Sequence, residues 1–233
     1  MRVTIHQPEH LPWAGFFAKA SRADQLVLLD NVQFRKNYFQ NRNRILTPMG
    51  VGWLTVPVLS KGHTHSVLRD MRINNMDRRW RLRCWRMILG GYGRLHYFDV
   101  YRDFLEDMYA QEWDLLTVLN EHVIRQVCAW LQLDVAIQRA SDLNVSGSSS
   151  QLLLEICLAT GATEYIAGPS ARDYLDESLF DAEGIRVKHA SYKQQPYPQG
   201  ASDGFVESLS VIDLLFNCGD RSRDVVIAGS RCE

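Results

Sequence analysis

The stretch IHQPEHLPW, from Ile5 to Trp13, crowds two histidines, a glutamine, two prolines and a tryptophan directly behind the apolar run Val3 to Ile5. Imidazole can act as acid, base or phosphate hydrogen-bond donor near neutral pH, so His6, Gln7 and His10 are candidate catalytic groups. Trp13 is a candidate wall for a bound ligand. His6 and His10 have a metal-ligand spacing only if they share a helix. Pro8 and Pro12 oppose a regular helix there, so no metal site is expected. The same prolines and Trp13 would also serve simply to shape and pack a loop.

A second concentration is DNVQFRKNYFQNRNR, which sets Asp30, Gln33, Lys36, Asn41, Arg42 and Arg44 among Phe34, Tyr38 and Phe39. Arginine forks match phosphate or carboxylate, amides match sugar hydroxyls, and aromatic faces match rings. A polynucleotide would meet the same inventory. Against it, the net charge is -1 and the basic cluster is confined, whereas nucleic-acid sites draw on a wider basic field. A compact nucleotide or nucleotide-sugar fits better, with a solvated basic loop as the competing reading. In AGPSARDYLD, Gly168 allows close backbone approach to a ligand. Ser170, Arg172 and Asp173 would place a hydroxyl, a cation and a carboxylate at a helix start, an anion-binding arrangement. The run of Arg78, Arg79, Arg81, Arg83 and Arg86 reads as a solvated helix face.

The elements that must position these groups alternate between strand and helix. Val3 to Ile5, the helical pattern GFFAKASRA and the run QLVLLD form a βαβ unit, which brings the C-terminal ends of both strands to one sheet edge. GVGWLTVPV reads as a further strand after a turn at Pro48 to Gly50. Helical character covers 76–90 and 101–133, with Trp113, Leu116, Leu119, Val123, Val127 and Leu131 as a buried stripe. VAIQRASDL is a strand, NVSGSSS supplies an N-cap for SQLLLEICLATGA, and Gly161 is that helix's C-cap. EYIAGP is a strand parallel to the first, ARDYLDESLFDAEG a short helical stretch, IRVKHASY another strand, and SLSVIDLLFNCG a closing amphipathic helix. The expected fold is α/β, a Rossmann-like parallel sheet flanked by helices, in one domain over 1–233 with a helical insertion at about 76–133.

The 46% apolar content of 233 residues is ample for a buried core. Five cysteines, odd in number and never spaced as CxxC, argue against a disulfide framework or zinc site, and Cys84, Cys128 and Cys157 read as core residues. No charged leader precedes an apolar segment and no apolar run is long enough to span a bilayer, so a soluble cytoplasmic protein without membrane insertion is expected. A homodimer is compatible with this composition.

Taken together, HQPEHLPWAGFF, LDNVQF, NRNRI, WLTVPV, YIAGPSARDYLD, YKQQPYPQ and LSVIDLLFNCG resemble the WbqC-like family along nearly the whole chain. Members of that family lie in gene sets for O-antigen and other surface-glycan synthesis, which implies a role in making or modifying an activated sugar. The resemblance adds Tyr197 and Gln199, in YKQQPYPQ, to the substrate-binding candidates. One departure is that Arg83 and Cys84 follow Trp80, where the family pattern tends to have a lysine-histidine pair. The opening is also similar in layout to ATP-using nucleotidyltransferases and to the pantothenate synthetase type of amide-forming ligase, which carry an H-x-G-H signature after strand one. His6 through His10 would be its degenerate counterpart. These likenesses imply an enzyme that transfers an acyl or aminoacyl group to the amine of a nucleotide-linked amino sugar, through an adenylate derived from ATP with Mg2+. A nucleotidyl- or glycosyl-type transferase on a nucleotide-sugar and a non-catalytic assembly protein are the alternatives.

Overall fold

The structure, a computed structural model, describes residues 1–59, 66–200 and 204–233. Its centre is strand β1 (Arg2–His6), whose Val3, Thr4 and Ile5 are buried on both faces, as a central parallel strand requires. Helix α1 (Ala14–Ala20) returns the chain to β2 (Gln25–Leu28), parallel to β1. The six-stranded sheet has the order β5 (Ala136–Arg139), β2, β1, β6 (Glu164–Ala167), β7 (Arg186–Tyr192), β8 (Ser230–Cys232). All neighbours are parallel except β8, which runs antiparallel to β7. The chain therefore winds first to one side of β1 and then, from β6, to the other. The order reverses between β1 and β6, and the strands' C-terminal ends open there.

Alternation along the strands feeds two cores. Val3, Ile5, Val27 and Tyr165 pack with Leu152 and Ile156 of α5 (Ser149–Thr160) and with Phe180 of α6 (Ser178–Ala182). Leu26 and Leu28 join Phe16 and Phe17 of α1 in the larger core on the other face. That core includes α7 (Val211–Cys218) and the excursion between β2 and β5. The excursion holds an antiparallel hairpin, β3 (Arg42–Thr47) with β4 (Gly50–Thr55), and helices α2 (Arg79–Tyr92), α3 (Phe98–Ala110) and α4 (Leu116–Trp130). Among the described residues no helix is long and apolar enough to cross a membrane.

Several elements differ from the sequence reading. NRNRI begins β3 rather than closing a polar loop. The helical run expected over 101–133 breaks after Ala110, because Ile73 N donates to Asp114 O at 2.9 Å and Leu116 N to Met71 O at 2.9 Å, pairing the break with a neighbouring segment. Ser148 holds the N-cap position of α5, but its side chain caps nothing. Gly161, at φ 69°, does close that helix. The helical stretch expected from Ala171 to Gly184 is instead a 3-10 turn, Pro169–Asp173, and the short α6. After α7 the chain continues through α8 (Ser222–Gly229) into β8.

The segment from Gln7 to Trp13 leaves β1 without regular structure yet stays largely buried, so its backbone polar groups need partners. Side chains from three distant elements supply them. Asn43 Nδ2 and Ser210 Oγ both donate to Leu11 O, at 2.7 and 2.8 Å, while Asn120 Nδ2 donates to Pro8 O at 3.1 Å and to Gln40 O at 2.7 Å. These contacts hold Leu11 at φ 45°, a left-handed conformation that a branched side chain adopts only when its surroundings impose it. Replacing the buried Asn120 by Leu strands two carbonyls without their shared donor. Urea unfolding of Asn120→Leu should show a loss of about 2–4 kcal/mol, against under 1 kcal/mol for an exposed asparagine.

Candidate functional site

A cavity of about 540 Å3 opens where the strand order reverses, in the size range of small-molecule sites. Its floor is Ile5 and His6 at the end of β1, Gly168 to Ser170 after β6, and Ala190 to Tyr192 at the end of β7. Residues of α1 and the preceding loop, including Glu9, Trp13 and Lys19, form one wall, and Arg35, Tyr38 and Phe39 form another. A second hollow, about 490 Å3, lies at the opposite sheet edge beside Thr163 and Arg186, but none of its lining side chains is buried and unpartnered.

The charged centre of the main cavity is Lys19. Every residue of α1 is buried, so its lysine has no wet side, and only 8% of it is exposed. Lys19 Nζ donates to Ile5 O at 2.9 Å. Burial lowers its pKa from the ordinary 10.5 to about 7, opposed by the charge of Glu9. Glu9 is 5% exposed and Oε2 has no hydrogen-bond partner. Burial raises this carboxyl to about 7, against the pull of Lys19. No ion pair joins the two among the described residues, so they sense each other across the cavity without contact.

His6 lies beside this centre with its ring edge-on to Phe16 at 4.7 Å. Burial first, and Lys19 second, push its pKa down to about 3, so the ring is neutral at pH 7. His6 Nδ1 lies 3.0 Å from Gln7 O. A carbonyl only accepts, so Nδ1 carries the hydrogen and Nε2 is left as an acceptor. Trp13 covers Gly15 so closely that a Cβ there would lie 2.3 Å from its ring, and the ring meets Tyr192 edge-on at 5.5 Å. Gln7 Oε1 accepts from Gln40 Nε2 at 2.7 Å, tying the corner to the loop that carries Tyr38 and Phe39.

Of the residues singled out from sequence, His6, Gln7, Trp13, Gly168 and Ser170 meet at this cavity. The others are placed elsewhere. His10 is fully buried, with Nε2 3.0 Å from Tyr109 Oη, and burial lowers its pKa to about 4. Asp30 accepts from the backbone and hydroxyl of Ser141 at 2.9 and 2.7 Å, splinting β2 to the end of β5. Gln33 and Lys36 are exposed outside the cavity, and Asn41 donates to Val56 O at 2.9 Å inside the excursion. Arg42 stacks over Trp53 at 4.3 Å, and Arg44 donates to Ser208 O at 3.1 Å. Arg172 and Asp173 are exposed on a 3-10 turn too short to present a helix dipole. Tyr197 and Gln199 both donate to the buried Asp213, at 2.8 and 2.9 Å, which Tyr92 also reaches at 3.0 Å. Arg83 pairs with Asp77 on the surface and the buried Cys84 thiol reaches Thr55 O, and neither residue lines the cavity.

Sequence reasoning passed over Lys19, Glu9, Tyr165 within β6 and Tyr192 at the end of β7. A signal for Lys19 was present: Ala14, Phe16, Phe17, Ala18 and Ala20 leave that helix no polar face on which a lysine could be solvated.

Residues 7–225 match the WbqC-like protein family. The chain is also 33% identical over 224 residues to the uncharacterized protein Rv1507c of Mycobacterium tuberculosis (strain ATCC 25618 / H37Rv), covering 96% of each chain. No solved structure matches.

Lys19 gives stability a recognisable pH dependence. Its folded value near 7 lies below the unfolded 10.5, so between them the unfolded chain binds more protons and stability rises with pH. Glu9, raised to about 7, opposes this rise around pH 7, and buried thiols such as Cys84, raised from 9.0 to about 11, oppose it as pH approaches 9, so the contribution of Lys19 itself, about 1 kcal/mol per pH unit near pH 8, is read as the difference between wild type and a variant without it. Lys19→Met should flatten that slope in denaturant titrations at successive pH values. An unchanged slope would mean that Lys19 is solvated.

Proposed function

The chain belongs to the WbqC-like protein family, and from that premise and the cavity we propose that it is an enzyme of bacterial surface-glycan synthesis joining an acyl or aminoacyl group to the amine of a nucleotide-linked amino sugar, with ATP as the activating co-substrate. The observation that carries this reading is the desolvated amine of Lys19, facing Gly168 at the point where the strand order reverses. Open α/β sheets bind nucleotides at such points, and a cation held out of water interacts with phosphate or carboxylate far more strongly than one in solvent.

The residues fit ATP chemistry. Gly168 has no Cβ, so backbone can approach a phosphate beside Lys19, and Tyr38, Phe39, Trp13 and Tyr192 offer flat faces to a base or sugar. ATP would supply both leaving groups: pyrophosphate as the donor carboxylate becomes an adenylate, and AMP as the amide forms. Protonated Lys19 would neutralise the carboxylate and the α-phosphate that must approach each other, two anions that otherwise repel. The proton that the acceptor amine loses on forming its bond to the acyl carbon would leave with the departing AMP phosphate. Neutral His6 would orient a donor group through Nε2 rather than serve as a cation. In this proposal the likeness to nucleotidyltransferases and pantothenate synthetase lies in the place of the site at the end of strand one, with Lys19 in the charge-stabilising role of their histidines. Mg2+ would arrive with the nucleotide and would offset phosphate charge there. Among the described residues no three or more His, Cys, Asp or Glu side chains gather to hold a metal.

Calorimetric titration with ATP, UDP-sugars and dTDP-sugars, followed by pyrophosphate release in the presence of carboxylic acids, tests this reading. It expects ATP binding and acid-dependent release. A nucleotide-sugar bound without ATP would replace it with a glycosyl or nucleotidyl transfer, and binding of neither with an assembly role. Gly168→Val sharpens the test. The backbone at φ -76° suits any residue and a Cβ meets only Lys19 Nζ, at 3.8 Å, so the variant should melt within a few degrees of wild type. Its branched side chain fills the approach to Lys19, and ATP affinity should fall at least tenfold.

A further inference from the structure

Glu9 is the unexplained group in the cavity. A carboxyl with 5% exposure and an oxygen that touches no donor is costly, and native proteins seldom leave one so. Its natural complement, Lys19, lines the same cavity but makes no ion pair with it and spends a hydrogen on Ile5 O. An acceptor and a donor of opposite charge thus face one space with a gap between them. A plain carboxylic acid would satisfy Lys19 and leave Glu9 stranded. An amine alone would satisfy Glu9 and leave Lys19 in the same position. A nucleotide-linked amino sugar offers an ammonium, but its anion is a phosphate carried through the anomeric oxygen rather than a group on the carbon that bears the amine. A molecule with both groups on one carbon satisfies both.

We propose that Glu9 and Lys19 form the binding site for a small α-amino acid, Glu9 accepting from its ammonium group and Lys19 donating to its carboxylate. This deepens the proposed reaction by assigning the acyl donor to the amino acids. The surroundings narrow the choice further. Phe16, Leu153 and the ring of Tyr165 line the cavity and offer no charge, which favours an uncharged side chain. No second cation lines the cavity next to the pair except Arg35 on the far wall, beside Tyr38, which disfavours acidic side chains at the centre and leaves the nucleotide's outer phosphates to that guanidinium. The ligand's two charges would offset the burial cost that brings both groups of the free protein to about 7.

The test is calorimetric titration of the full-length protein, without nucleotide, with glycine, L-alanine, L-serine, acetate, methylamine and glucosamine. At least one of the amino acids should bind wild type, with acetate and methylamine at least 100-fold weaker. Glu9→Gln keeps the shape and removes the charge, so it should weaken amino-acid binding at least tenfold without changing the response to acetate. Equal affinity for acetate and alanine, binding of glucosamine alone, no binding of any amino acid, or a Glu9→Gln variant that binds alanine as wild type does would each overturn the assignment. Because nucleotide is absent, the outcome separates from the preceding proposal. Amino-acid binding without any ATP binding would preserve this site and sink the adenylate route, and the reverse result would do the opposite.

Discussion

Keeping a lysine out of water at the end of the central strand is the constraint around which the rest of this molecule is arranged. An isolated ammonium in an apolar interior is prohibitively costly, and the protein lowers that cost by three means. A strand carbonyl, Ile5 O, accepts one of its hydrogens. A buried carboxyl, Glu9, shares the space without closing into an ion pair, and the lysine releases its proton near neutrality. The neighbouring imidazole pays for that charge by staying neutral, which fixes the hydrogen on Nδ1 against Gln7 O. Lys19 thus shifts both Glu9 and His6, and Glu9 shifts Lys19 in return. The electrostatic character of the corner lies in that coupling rather than in any one side chain.

Such a centre has to be rigid, because water admitted by loop motion would restore ordinary pKa values. Its enclosure is built from an irregular segment, which ordinarily belongs at the surface. Pro8 and Pro12 remove two backbone donors that would otherwise need partners, and buried side chains of Asn43, Asn120 and Ser210 satisfy the carbonyls. Those three residues come from the hairpin, from α4 and from the cap of α7. The excursion between β2 and β5 is therefore a buttress: it contributes Arg35, Tyr38 and Phe39 to the wall, and otherwise acts by clamping the corner from behind.

The parallel pairing of β1 with β2 and with β6 was legible because a strand, a helix and a second strand in succession favour a parallel crossover, whereas the reversal of strand order between β1 and β6 had no signal in the sequence. His6, Gln7, Gly168 and Ser170 were legible as cavity residues for the same reason, since each lies at or just after the C-terminal end of β1 or β6, and Trp13 follows on the loop that leaves β1. Residue type misled where burial decides role. His10, Asn41, Tyr197 and Gln199 have the chemistry of ligand-binding groups and spend it on Tyr109, Val56 and Asp213 inside the protein. Arg42 and Arg44 alternate with asparagines in β3, and the period of two puts Asn43 inward on Leu11 while the arginines turn to Trp53 and Ser208. Reading NRNR as a strand would have separated the two roles.

Lys19 and Glu9 escaped notice because charged residues are presumed to face water, and a sequence reports burial only through neighbours. Helix α1 is seven residues long and buried all round, so its single lysine is held in place by position rather than by partner. Glu9, between two prolines, lies on a segment that cannot turn it outward without breaking the contacts of Pro8 and Leu11. Two opposite charges fixed by separate elements cannot relax into contact, and their gap persists in the folded state. That fixed gap is what distinguishes a site prepared for a doubly charged ligand from a buried salt bridge, in which the two side chains would already have satisfied each other.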